Sequence, residues 1–190
     1  MENADLQTHG RPALDLLAYL ASGAFLSSLF ENWESEFLQM WVFVMLTAYL
    51  VQKGSPESKA AEGAAPQDRD PALDADKPDA PWPVRAGGLA RGLYSHSLGA
   101  ALLLLFRASF SLHLKNSARL ANSENALHGQ AAVSVWAHLA APEFWFESFQ
   151  NWQSEFLSTA VLIVLAIFLR ERGSPESKPV ATPHSKTGTD

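Results

Sequence analysis

Residues 9–59 and 128–178 align at one constant offset without a gap, with roughly 23 identical positions. Any fold open to this chain must therefore build one unit twice. The shared positions begin at His9-Gly10 and His128-Gly129. They run through Asn32-Trp33-x-Ser35-Glu36-Phe37-Leu38 and Asn151-Trp152-x-Ser154-Glu155-Phe156-Leu157. Both copies close on the same Gly-Ser-Pro-Glu-Ser-Lys block, at 54–59 and 173–178. A polar motif is thus set twice into a hydrophobic segment, the pattern of a tandem duplication.

Three apolar stretches stand out: Phe37–Val51, Gly92–Leu114 and Phe156–Leu169. The middle one, about 23 residues, exceeds the ~20 needed to cross a bilayer and holds one charge, Arg107. The others are shorter, but runs such as Trp41–Leu46 and Ala160–Leu169 are apolar on every face. A soluble surface helix would show a polar stripe there. The expected class is all-α: a polytopic membrane protein with three transmembrane helices and interfacial amphipathic helices. The absence of cysteine excludes disulfides, thiolate chemistry and cysteine-based metal sites. Met1–Gly10 is polar and acidic, unlike the basic and apolar regions of a cleavable signal. A net charge of -6 argues against nucleic acid as a partner.

Residues 1–54 read as the first repeat, an interfacial helix followed by a transmembrane helix. Residues 55–88 carry Pro56, Pro66, Pro71, Pro78, Pro81 and Pro83 among alanines and charges, and read as a disordered linker. Residues 89–173 form the second repeat, with two transmembrane helices and an outer interfacial helix. The tail, 174–190, reads as disordered. Inside each copy a short apolar piece (13–21 and 131–140) precedes a break at Ser22-Gly23 or Ala141-Pro142. An aromatic stripe follows: Leu26, Phe30, Trp33 and Phe37 in one copy, Trp145, Phe149, Trp152 and Phe156 in the other. Nothing separates stripe from apolar run, which predicts one helix of about 30 residues, roughly 45 Å long. It should end at Gly54 or Gly173 in a left-handed cap.

Basic residues set the topology. Lys53, Lys59, Arg85 and Arg91 flank the linker, and Arg170, Arg172, Lys178 and Lys186 follow the last helix. The opposite side offers only Arg11, Lys115 and Arg119. By the positive-inside bias, linker and C-terminus are cytoplasmic and the N-terminus lies outside. The second copy is preceded by a membrane helix, Gly92–Leu114, that has no counterpart before the first copy. The duplicated unit therefore lacks its first helix here, through loss or through a start lying further upstream.

The motif Phe-Glu-Asn-Trp-Glu-Ser-Glu-Phe-Leu-Gln-Met at 30–40, its partner at 144–157 and the two Gly-Ser-Pro-Glu-Ser-Lys blocks resemble an uncharacterised bacterial multi-pass integral membrane family, a domain of unknown function. The resemblance covers essentially the whole chain. It implies an integral protein of the bacterial cytoplasmic membrane and no particular activity.

Helical rise puts Glu155 about 22 Å from Arg170, Glu36 about 25 Å from Lys53 and Arg107 about 24 Å from Arg91. All three charges then share one depth, where a charge needs pairing or water. Arg107 is expected to pair with Glu155 or Glu36. With Asn32, Ser35, Asn151 and Ser154 they form a candidate intramembrane polar cluster, and Trp33, Trp145 and Trp152 are candidate interfacial anchors. The favoured reading is interhelical glue, and the alternative is a proton or cation site using Glu36 and Glu155. His9, His96, His113, His128 and His138, with Glu143 or Glu147, show no metal-ligand spacing, and the His-Gly pairs read as turns. Ser95, Ser97 and Ser109 have no adjacent base. The expectation is a non-enzymatic structural or partner-binding membrane component without cofactor or metal. Its partners would be the bilayer, other copies of the chain or another membrane protein.

Overall fold

The computed structural model describes residues 7, 8, 10, 12–60, 63 and 65–188; His9 and Arg11 lie outside these. The described chain is helical, with no β-strand. Its α-helices are α1 (Leu16–Leu20), α2 (Gly23–Tyr49), α3 (Trp82–Ala86), α4 (Gly88–Ser95), α5 (Ser97–Leu127), α6 (Val135–Leu139) and α7 (Pro142–Phe168). Short 3₁₀ turns at Pro66–Asp68 and Pro71–Asp74 occupy the linker.

The sequence repeat reappears in the backbone. Helices α6 and α7 begin and end 119 residues after α1 and α2. Asp15 caps α1 by accepting from the Ala18 amide at 2.8 Å, and Ser134 caps α6 by accepting from Ala137 at 3.1 Å. Such caps satisfy amide donors that the first helical turn leaves without partners. Gly10 and Gly129 both take a positive φ, as a turn requires.

Two boundaries differ from expectation. The helix expected over Gly92–Leu114 breaks at His96, and α5 then continues to Leu127. Ala118, Leu120, Ala121, Ala126 and Leu127 are good helix formers, and no proline interrupts them. Helices α2 and α7 stop at Tyr49 and Phe168, ahead of Gly54 and Gly173. The last serine of each Gly-Ser-Pro-Glu-Ser-Lys block folds back instead. Ser58 Oγ accepts from the Gln52 amide at 2.9 Å, and Ser177 Oγ from the Glu171 amide at 3.0 Å.

The contacts divide into two compact units, and α2, α5 and α7 contribute to both. The first holds residues 1–39 and 103–155. There α2 meets α5 at Gly23, where an added Cβ would lie 3.0 Å from the Leu120 amide nitrogen and 3.2 Å from the Asn116 carbonyl oxygen. Asn122 ties the loop before α6 to α5 by donating to the Val133 carbonyl and accepting from its amide. An aromatic cluster of Phe106, Phe110, Phe144, Trp145 and Trp152 fills the space between α5 and α7, with ring centroids 5.7–6.5 Å apart.

The second unit, residues 40–102 and 156–190, is organised by lysines. Lys178 is buried and donates to the carbonyls of Gly54, His184 and Lys186 at 2.7, 2.9 and 3.0 Å. Burial pulls its ammonium below the usual lysine range, as does the nearby Arg170 guanidinium, and the three carbonyls hold it in place. Thr187 accepts from the Gly54 amide, and the Gly188 amide donates to Ser55. These bonds join the tail to the Gly54-Ser55 turn. In the linker, Lys59 bonds the Ala48 carbonyl and Asp68.

Two helices, α5 and α7, are long and apolar enough to cross a membrane. Most of their apolar residues are exposed, including Leu98, Leu104, Leu157, Leu162 and Phe168, whereas the buried set is rich in Ser, Asn, His and Glu. Helix α2 equals α7 in length but carries Glu31, Glu34 and Glu36 in its first half.

Candidate functional site

Helix α5 presents Ser109, His113, Asn116 and Ser117 at helical spacing, and all four are buried. Glu34 of α2, Phe144 of α7 and His138 of α6 touch this polar stripe, and Ser27, Ser35 and Ser148 are also buried. Its centre is an acid–base pair. His113 Nδ1 lies 3.0 Å from Glu34 Oε2, and both side chains are 0% exposed. As a carboxylate, Glu34 accepts this bond from the tautomer that carries its proton on Nδ1. The other carboxylate oxygen, Oε1, accepts from Trp152 Nε1 at 3.1 Å. Phe144 packs on the rings of both His113 and His138, at 5.0 and 5.7 Å.

One turn beyond His113, Ser117 Oγ is 2.8 Å from His138 Nε2 and 3.5 Å from Glu147 Oε2. Burial holds the His138 imidazole below its usual pKa and favours the neutral ring; Glu147 acts in the opposite sense. Ser117 and His138 line an open cavity of about 410 Å³ together with Glu124, Glu143 and Glu147. A hydroxyl–imidazole contact of this length is the geometry of a nucleophile and its base. Ser117 lies inside α5, however, where neighbouring amides are committed to helical bonds and leave no donors for an oxyanion. The arrangement can bind and relay protons but is not equipped for acyl transfer.

Of the residues singled out from sequence, His113, His138, Glu147 and Trp152 meet here, and most of the others fall elsewhere. Glu36 is exposed and accepts from Asn32 Nδ2 at 3.1 Å. Arg107 is exposed and Glu155 half-buried. Ser35 is buried, with its hydroxyl donating to the Asn32 carbonyl at 2.8 Å. Asn32, Asn151 and Ser154 share an open polar cleft of about 460 Å³ with Glu31 and Glu147. Trp33 is exposed, and Trp145 donates to the Leu139 carbonyl at 2.8 Å. His96 and His128 are exposed, and no three metal-ligating side chains converge among the described residues.

Sequence reasoning passed over Glu34 because it occupies the variable position of the Asn-Trp-x-Ser-Glu-Phe motif, where the second copy has Gln153. The signal available was the α5 stripe, polar at positions 109, 113, 116 and 117 within an otherwise apolar helix.

The chain belongs to a family known as a domain of unknown function, DUF6766, whose pattern matches residues 1–189. No curated protein and no solved structure matches it.

Proposed function

We propose that this protein is a non-enzymatic, multi-pass component of the bacterial cytoplasmic membrane, with a structural or partner-binding role. In this reading α2, α5 and α7 span the bilayer, and the linker and C-terminus face the cytoplasm. The single observation that carries the reading is the inverted polarity of the helices. Leu and Val side chains lie outside while Ser, Asn, His and Glu are buried, with Glu34, His113 and Trp152 joined across three helices. Hydrogen bonding between helices is how segments associate where lipid removes the hydrophobic drive. The two like copies descend, in this reading, from one duplicated unit. Topology is tested by single-cysteine labelling in intact cells, which the cysteine-free chain makes unambiguous. A cysteine at 130 should react with an impermeant reagent, and one at 63 only after lysis. Purified protein in liposomes should carry no ion flux.

A second reading, a small proton or cation transporter using Glu36 and Glu155, is favoured by the polar cleft at Asn32, Asn151 and Ser154. Under it, wild-type liposomes show a flux that Glu155→Gln abolishes without loss of folded protein.

A further inference from the structure

We propose that the Glu34–His113 pair is a proton-binding site, loaded from the acidic cavity beside α6 through His138 and Ser117. The pair is wholly enclosed, and all but one of its side-chain polar atoms have a hydrogen-bond partner. Glu34 receives one bond from His113 Nδ1 and one from Trp152 Nε1. With Nδ1 carrying the proton, Nε2 has a bare lone pair, and among the described residues it has no hydrogen-bond partner. A buried carboxylate beside a neutral imidazole carries one uncompensated negative charge, which is costly away from water. A proton on Nε2 converts the pair to carboxylate and imidazolium and cancels that charge. The surrounding groups work mostly in the same direction. The Glu31 charge from α2 favours uptake and His138 from α6 opposes it once charged, while Glu147 and Glu143 from α7 favour a proton on His138.

The route follows from spacing. The acidic cavity, lined by Glu124, Glu143 and Glu147, collects protons at His138. Nε2 of His138 bonds Ser117 Oγ at 2.8 Å, so a proton taken up at Nδ1 is matched by one passed from Nε2 to the hydroxyl. Ser117 releases its own proton toward His113 and ends unchanged. The two residues sit one turn apart on α5, about 5–6 Å between their Cβ atoms, a gap spanned by a rotating hydroxyl and one water. This site needs the buried pair and its cavity only; it stands whether or not an ion crosses the bilayer.

Trp152 is a built-in reporter, because its indole hydrogen bonds the carboxylate whose partner titrates. The test is tryptophan emission of the full chain in phosphatidylcholine vesicles, titrated between about pH 5 and 9, where imidazoles change charge. We expect one step that is absent from Trp152→Phe and from His113→Gln. After a rapid pH jump, Ser117→Ala should respond about tenfold more slowly with the same midpoint, as loss of a relay group implies. A wild-type titration with no Trp152-dependent step overturns the site. An unchanged rate in Ser117→Ala overturns the route. If His113→Gln does not fold, ¹⁵N imidazole spectra of the wild type decide: Nε2 of His113 must move from bare to protonated across the step, and a constant signal sinks the proposal.

Discussion

The two copies of the Asn-Trp-x-Ser-Glu-Phe motif share their letters and their helix, yet lie in different surroundings. In the first copy Glu34 and Ser35 are fully buried, whereas their counterparts Gln153 and Ser154 are exposed. The tryptophans diverge too: Trp33 is exposed, while Trp152 is half-buried and bonded to Glu34. Each copy therefore supplies a different part of one site, the first its carboxylate and the second its indole donor and aromatic floor. The chain has two similar helices, and differences at a few positions make them complementary rather than redundant.

The largest expected effect separates Glu34 from Gln153. Glu34→Ala or His113→Ala leaves a buried polar partner uncompensated, which should cost about 3–5 kcal/mol in reversible unfolding from detergent. Gln153→Ala, at the matching exposed position, should fall within about 0.5 kcal/mol of wild type. Equal losses at 34 and 153 would erase the asymmetry. Next comes the aromatic floor. Phe144 is fully buried and touches His113, His138, Phe110 and Trp145, whereas its counterpart Phe25 is half-buried against Tyr19. Phe144→Ala should cost about 3 kcal/mol and Phe25→Ala clearly less, read from the same unfolding curves.

The two Gly-Ser-Pro-Glu-Ser-Lys blocks show the same divergence on a smaller scale. Lys178 reaches three backbone carbonyls from a buried position, and Lys59 makes a salt bridge to the exposed Asp68. Lys178→Met should destabilise by about 2 kcal/mol and free the tail, seen as faster proteolysis beyond residue 178. Lys59→Met should cost under about 1 kcal/mol.

The offset of the repeat was enough to place α1, α2, α6 and α7 in matching positions, because helix caps and apolar periodicity are properties of local sequence. The site was harder to see for a related reason. Attention to what the copies share led to Glu36 and Glu155, while the buried cluster uses positions where they differ: Glu34 against Gln153, Leu29 against Ser148, Tyr19 against His138. Ser109, His113, Asn116 and Ser117 lie on α5, which has no second copy to compare, and Phe144 and Trp152 keep the residue types of Phe25 and Trp33. The lysine clamp was illegible because its acceptors are backbone carbonyls, which carry no residue identity and become a site only when the chain folds.

The smallest effect concerns Glu57 and its counterpart Glu176, where the two terminal blocks meet. Burial, then the hydrogen bond and charge of Glu176, push the Glu57 carboxyl above its ordinary pKa. The folded chain thus holds this proton more tightly than the unfolded chain does. The stabilisation is complete below the ordinary carboxyl pKa and is lost as pH rises through the raised folded value. Thermal unfolding of the wild type should accordingly shift to lower temperature across that window. Glu57→Gln has no proton to release and should keep the hydrogen bond at neutral pH, flattening the profile and raising the midpoint there. Parallel pH profiles for the two proteins would mean that the blocks do not share a proton, leaving Lys178 as the main tie between them.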